Sequence, residues 1–264
     1  MDLGLQGRTA LVTAASQGIG RAVALRLTQE GAGVVLCARR ESVLHEVAAE
    51  IEAAGGAALA IACDVTDHAA PATVLQQAAA RFDRIDILIN NAGLATPRKF
   101  LETSDEDWQS GLEINLLSAV RFTRACLPSM IAEGWGRIVN VSSTTAKVVD
   151  PYQAIYGAGK AALVNFSKTI STAFAPDGVR CNCVLPGITR TEMIEANLAN
   201  SAERTGRSPE DLMARMLQKA PIPIGRIGEP DEIADAIVFL ASTNAEWITG
   251  VTLPLDGGTI PVAG

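Results

Sequence analysis

Apolar runs of strand length alternate with helix-length segments from one end of this chain to the other, and this alternation limits the fold more than any other feature. The runs fall at 10–13, 34–37, 59–63, 87–89, 138–141, 180–184 and 251–253, with helical patterns at 21–30, 44–54, 70–81, 105–132, 158–175 and 231–241. Strands separated by helices pair in parallel, because each crossover must carry the chain back to the edge it started from. The expected fold class is therefore α/β: one domain over residues 1–264, a Rossmann-type doubly wound parallel sheet of roughly seven strands with helices on both faces. Crossovers of one hand group the first three strands and send the fourth to the other side of the first. Ligands of such sheets bind at that switch point, beyond the strand carboxyl ends. One segment breaks the rhythm. Residues 192–223 form a long insertion with an amphipathic pattern at Leu212, Met213, Met216 and Leu217, expected to be a lid over a substrate cleft.

Chemistry-bearing residues cluster at the predicted strand ends. After the first strand come Ala14-Ala15-Ser16-Gln17-Gly18-Ile19-Gly20, followed by a helix. A strand, a glycine turn and a helix N-terminus aim backbone N–H groups at a phosphate, the cradle of dinucleotide-binding folds. Asp64, Asn90, Ser143 and Pro186 follow the third, fourth, fifth and sixth strands. Farther along, Tyr156 precedes Lys160 by four residues, so on a helix the phenol and the ammonium share a face. A free tyrosine has a pKa of about 10, and a neighbouring cation is expected to lower it toward the range useful for acid–base work.

These motifs together resemble the short-chain dehydrogenase/reductase superfamily over about residues 5–258. Thr13 to Gly20 is similar to its Thr-Gly-x-x-x-Gly-x-Gly fingerprint, and Asn90-Asn91-Ala92-Gly93 to its strand-end motif. Asn115, Ser143, Tyr156 and Lys160 match its catalytic tetrad; Pro186-Gly187-Ile188-Thr189 and Leu255-Asp256-Gly257-Gly258 match its later signatures. The serine of that pattern lies thirteen residues before the tyrosine, which selects Ser143 over Ser142. The resemblance implies hydride transfer between a nicotinamide and a ketone or secondary alcohol. Tyr156 is the implied acid, Ser143 orients and polarises the oxygen, Lys160 holds the nicotinamide ribose, and Asn115 anchors a proton-relaying water. It also implies cofactor contacts at Thr13, Ser16, Gln17, Gly18, Ile19, Gly20, Arg39, Arg40, Asp64, Val65, Asn91, Ala92, Gly93, Tyr156, Lys160, Gly187, Ile188 and Thr189. Ala14 departs from the fingerprint, which has glycine there; a positive φ at this position would load a Cβ with strain.

The second strand end speaks to which nicotinamide. Ala38 and Arg39 offer no acid for the adenosine ribose and a cation for a 2′-phosphate, which favours NADP(H), with NAD(H) the alternative. The pattern looks most like bacterial 3-oxoacyl-thioester reductases and relatives acting on other ketones, with a small carbonyl or alcohol substrate that some members take carrier- or CoA-bound. Two further readings are an NAD-dependent secondary-alcohol dehydrogenase and a catalytically silent dinucleotide sensor; the intact tetrad argues against the second. A homo-tetramer is expected by resemblance, and Ala158, Ala161, Ala162 and Val164 suit close helix approach.

Composition supplies the exclusions. A net charge of −7 offers little to nucleic acid or an anionic membrane, and no apolar run reaches membrane-spanning length, so a cytoplasmic protein is expected. The five cysteines at 37, 63, 126, 181 and 183 read as reduced core thiols, and no ligand cluster suggests a metal. Two histidines, His45 and His68, fall in segments that read as surface. Gly159-Lys160 fails as a P-loop because Ala154 and Ala161 replace its glycine and its Ser/Thr.

Overall fold

The computed structural model describes residues 2–219 and 222–261. Seven strands and nine α-helices follow in the order β1 Thr9–Thr13, α1 Gly18–Gln29, β2 Gly33–Ala38, α2 Glu41–Ala53, β3 Ala58–Ala62, α3 Ala70–Ala79, β4 Ile87–Asn90, α4 Asp105–Leu112, α5 Ser118–Ala132, β5 Gly136–Val141, α6 Ala154–Phe174, β6 Val179–Pro186, α7 Glu192–Thr205, α8 Pro209–Lys219, α9 Pro230–Ala241 and β7 Thr252–Leu255 among the described residues. All strands pair in parallel in the order β3-β2-β1-β4-β5-β6-β7. The switch point therefore lies between β1 and β4, as the alternation requires.

Strand residues point alternately to the two faces, and each face is buried under its own helices. Ala10, Val12, Val34 and Leu36 pack beneath α1, α2 and α9, through Val23, Leu27, Leu44, Ile51, Ile237 and Val238. Leu11, Val35, Leu88 and Ile138 pack on the other face against Val74 of α3 and Phe122, Cys126 and Met130 of α5. The core is continuous on both sides, so the strand ends are held rigidly. No helix among the described residues is long and apolar enough to cross a membrane.

Two helical expectations change. The segment 105–132 is not one α-helix. Ser104 caps α4 by a reciprocal pair with Asp107, Ser104 Oγ accepting from Asp107 N at 3.2 Å and Asp107 Oδ2 from Ser104 N at 3.0 Å. The ladder then widens into a π turn at Glu113–Leu117 before α5 begins. Such a slip is a local change in backbone hydrogen bonding, which residue type does not mark in a segment this long. The tyrosine-bearing helix starts at Ala154, four residues before the expected position, despite Gly157 and Gly159. Packing overrides propensity there: a Cβ on Gly159 would lie 3.1 Å from Asn115 Cβ, so the missing side chain lets α6 close on the π turn. The insertion holds two helices, α7 and α8, the first ended by Gly206 in the left-handed region at φ +68°.

Candidate active site

The end of β1 is tied to the end of β4 by side chains predicted to touch a cofactor. Thr13 Oγ1 accepts from Asn91 N at 2.9 Å and Ala92 N at 3.1 Å, while Asn91 Nδ2 donates to Thr13 O at 3.1 Å and Ala14 O at 3.3 Å. Thr13 is buried, so its hydroxyl shapes the turn. Behind this lock Gly20 has no room for a side chain, because a Cβ would lie 2.4 Å from Ala14 O and 2.5 Å from Asn91 Nδ2. The turn itself is strained. Ala14 has φ +53° and is the one non-glycine residue with positive φ among the described residues, so the departure from the glycine fingerprint carries a steric cost.

At the helix N-terminus Gly18 N donates to a carboxylate oxygen of Glu192 at 2.9 Å, an anion standing where a phosphate would be bound. Beside it opens a cleft of about 310 Å³ lined by Ser16, Gln17, Arg21, Arg40, Val43 and Glu192 among others. Arg40 hydrogen-bonds Gln17 Oε1, and Arg21 pairs with Glu50 at 2.5 Å. Arg39 is exposed on the neighbouring side, where its charge, after two hydrogen bonds from Thr66, helps hold the Asp64 carboxyl below the usual range. Val65 is buried behind it. Two guanidinium groups, Arg21 and Arg40, line this cleft with three carboxylates, Glu46, Glu50 and Glu192, and it is the Gly18 N–H and the two arginines that fit a phosphorylated dinucleotide.

Ser143, Tyr156, Lys160 and Asn115 converge beyond the ends of β4 and β5. Ser143 Oγ accepts from Thr145 N at 3.2 Å and faces the Tyr156 phenol. Ser142 turns the other way and donates to Lys160 O at 2.8 Å. Lys160 is buried, and its Nζ donates to Val141 O at 2.8 Å and lies 5.7 Å from the centre of the Tyr156 ring. The expected lowering of the tyrosine pKa by that cation is not met. Burial raises the Tyr156 pKa, with the Ser143 hydroxyl pulling the other way, because the ammonium stands off the ring and is turned toward a carbonyl. Lys160 itself falls to about 8 on desolvation.

Asn115 is buried in the π turn, and its side chain is already committed. Its Nδ2 donates to Leu94 O at 3.0 Å and Gly111 O at 2.9 Å, and its Oδ1 accepts from Leu94 N at 3.0 Å. The amide pins the loop after Gly93 to the π turn. Gly187 packs on Asp256, a Cβ there falling 2.9 Å from Asp256 Cα. Ile188 lines a separate cavity of about 340 Å³ with Ile222, Ile233 and Leu255, and Thr189 is buried with its hydroxyl on Gly187 O at 3.1 Å. Neither side chain is among those lining the cleft beside Gly18. The residues from this stretch that do reach it are Thr191 and Glu192, which sequence reasoning missed, along with Arg21. A long-range contact reveals Thr191 and Glu192, whereas Arg21 directly follows Gly20 in sequence. No group of three or more His, Cys, Asp or Glu able to hold a metal occurs among the described residues.

The sequence profile of the enoyl-(acyl carrier protein) reductase family matches residues 13–259. The chain is 36% identical over 259 residues to the oxidoreductase UcpA of Escherichia coli (strain K12), covering 97% of this chain and 96% of that protein. It is 36% identical over 256 residues to the 3-oxoacyl-[acyl-carrier-protein] reductase FabG of the same organism, covering 97% and 98%. The solved structure of L-sorbose reductase from Gluconobacter frateurii, complexed with NADPH and L-sorbose, superposes with a TM-score of 0.95 at 35% identity, over 99% of this chain and all of that one. A switch-point site with this tetrad and these relatives defines a class. The chain belongs to the short-chain dehydrogenase/reductase superfamily, the NAD(P)-dependent oxidoreductases of CH–OH and C=O groups.

Proposed function

We propose that this protein is an NADP(H)-dependent ketone reductase whose substrates include 3-oxoacyl thioesters or related small ketones. The observation that carries the reading is the Tyr156 phenol facing Ser143 near the buried Lys160, together with a cradle lined by Arg21 and Arg40, with Arg39 beside Asp64. Burial keeps the phenol protonated near neutral pH, the state an acid needs when a carbonyl is reduced. When bound, the nicotinamide supplies hydride to the carbonyl carbon. The Tyr156 hydroxyl then gives its proton to the carbonyl oxygen, and the Ser143 hydroxyl donates a hydrogen bond that orients the same oxygen. The Lys160 ammonium, whose pKa falls to about 8, would turn from Val141 O to hold the ribose hydroxyls and to return a proton toward the phenol. Asn115 keeps the Leu94 loop in register beside them.

Gly18, Ile19 and Gly20 would hold the pyrophosphate, Asp64 and Val65 the adenine side, and Asn91, Ala92 and Gly93 the ribose side of the nicotinamide. Relatives support NADP(H), since L-sorbose reductase is complexed with NADPH. Helices α7 and α8 act as the substrate lid, with Met193 of α7 exposed and free to meet an apolar substrate. A homo-tetramer is supported by the exposed Ala158 and Ala161 on α6 and by Trp247, which is 99% exposed. The deciding experiment is a panel of 3-oxoacyl thioesters, simple ketones and keto-sugars with NADPH or NADH, read by cofactor absorbance. Turnover of thioesters or small ketones with NADPH preferred is expected; oxidation of alcohols with NAD alone would replace this reading.

A further inference from the structure

The dinucleotide cradle already holds an anion that the chain itself supplies. Gly18 N donates to Glu192 Oε2 at 2.9 Å across a sequence separation of 174 residues. The two helix starts are also packed together, since a Cβ on Gly18 would sit 3.0 Å from Thr191 Cγ2. Thr191 is the N-cap of α7, its hydroxyl accepting from Ile194 N at 3.4 Å. Helix α1, by contrast, has no cap from its own side chains: Gln17 makes no capping bond and the first turn carries no acid. The unpaired N–H groups and positive end of such a helix attract a carboxylate, and they attract a pyrophosphate for the same reason. Two anions cannot share one N–H donor. Glu192 is exposed and brings one charge, whereas a pyrophosphate brings more charge and more acceptors.

We propose that Glu192 is a built-in competitor of the cofactor pyrophosphate. It latches the start of α7 onto the cradle in the free protein and is displaced when cofactor binds, so that cofactor occupancy sets the position of α7 and α8. The proposal rests on reading the cradle as a dinucleotide site. Because the pyrophosphate is common to NADPH and NADH, the latch lowers the affinity of both by one factor and leaves the choice between them to the arginines.

The test uses the full chain carrying Glu192→Ala or Glu192→Gln, with exposed-site substitutions that leave the core intact. Hydrogen exchange without cofactor should rise over residues 192–205 in Glu192→Ala. Calorimetric titration should show NADPH and NADH both tightened by about two- to fivefold, the size of one helix-terminal charge interaction, with Glu192→Gln smaller in the same direction. Adding NADPH to the wild-type protein should raise exchange in the first turn of α7. Unchanged or weaker cofactor binding in Glu192→Ala, tightening of one cofactor alone, or unaltered exchange in the free variant each overturn the latch. If neither dinucleotide binds the wild-type protein, the cradle reading itself has failed, and inorganic pyrophosphate becomes the probe. Raised α7 exchange with pyrophosphate in wild type but not in Glu192→Ala then supports the latch, and no difference overturns it.

Discussion

Gly93 and Lys160 meet so closely that a Cβ on Gly93 would lie 2.7 Å from the Lys160 ammonium, with Asn115 Oδ1 3.1 Å away. The glycine that ends the Asn-Asn-Ala-Gly turn is therefore an absence of side chain on which two members of the tetrad depend. Gly93→Ala should push the ammonium from its hydrogen bond with Val141 O. We expect kcat/KM to fall by at least about tenfold, with stability lowered by the roughly 1–3 kcal/mol typical of overpacking. Paired kinetics and urea unfolding check this, and wild-type activity in the variant would show that Lys160 has room to move.

Tyr156→Phe removes the transferable proton and keeps the ring. Turnover should drop by about 10²–10⁴-fold while cofactor affinity, measured by titration, stays within about twofold. Ser143→Ala should lower kcat less, by about 10²–10³-fold, since it loses one hydrogen bond to the developing charge and no proton. Activity within tenfold of wild type in Tyr156→Phe would remove the tyrosine from its role.

Lys160 makes stability depend on pH in a defined window. Its folded pKa of about 8 lies below the ~10.4 of free lysine, so between those values the unfolded chain binds a proton that the folded chain lacks. Stability from this group therefore rises with pH across the window; below it both states are charged and the folded state bears the full cost of a buried ammonium. The difference in urea midpoint between wild type and Lys160→Met should shift in favour of wild type from pH 8 to pH 10. A difference that does not change over that range would mean that the ammonium is solvated.

Ala14 at φ +53° invites the reverse change. A left-handed conformation costs an L-residue roughly 1–2 kcal/mol, and glycine loses roughly 0.5–1 kcal/mol through chain entropy. Ala14→Gly should therefore be neutral to stabilising by about 1 kcal/mol in chemical unfolding. Clear destabilisation would show that the alanine methyl makes contacts that outweigh the strain.

Replacing Ala38 with Asp and Arg39 with Leu tests cofactor choice. Loss of a charge-assisted phosphate contact costs about 1.5–3 kcal/mol, roughly ten- to a hundredfold in affinity for NADPH, while NADH has no 2′-phosphate to lose. The ratio of kcat/KM for the two cofactors reads the result. Because Arg40 and Arg21 line the cleft while Arg39 stands beside Asp64, Arg40→Leu is the companion variant. A ratio moved by Arg40→Leu and not by the Ala38/Arg39 pair would transfer the 2′-phosphate to Arg40.

What the sequence determined by itself is whatever repeats locally. Alternating apolar runs such as Val34–Val35–Leu36 set a doubly buried parallel strand, and the order of crossovers set the switch point; the i, i+4 spacing of Tyr156 and Lys160 placed both on one helix face. The two ends of the thirteen-residue step from Ser143 to Tyr156 face each other, because it joins one rigid strand end to one helix start. Tertiary structure decided everything that depends on a distant partner. The π turn around Asn115 exists against Gly159 and Leu94, Lys160 turns toward Val141 instead of toward the phenol, and Ile188 faces a different cavity from the cradle. Glu192 reaches Gly18 across 174 residues. Local periodicity encodes which face of an element is buried, but the direction of a single polar side chain at the end of that element is chosen by donors and acceptors that only the assembled fold brings within hydrogen-bond distance.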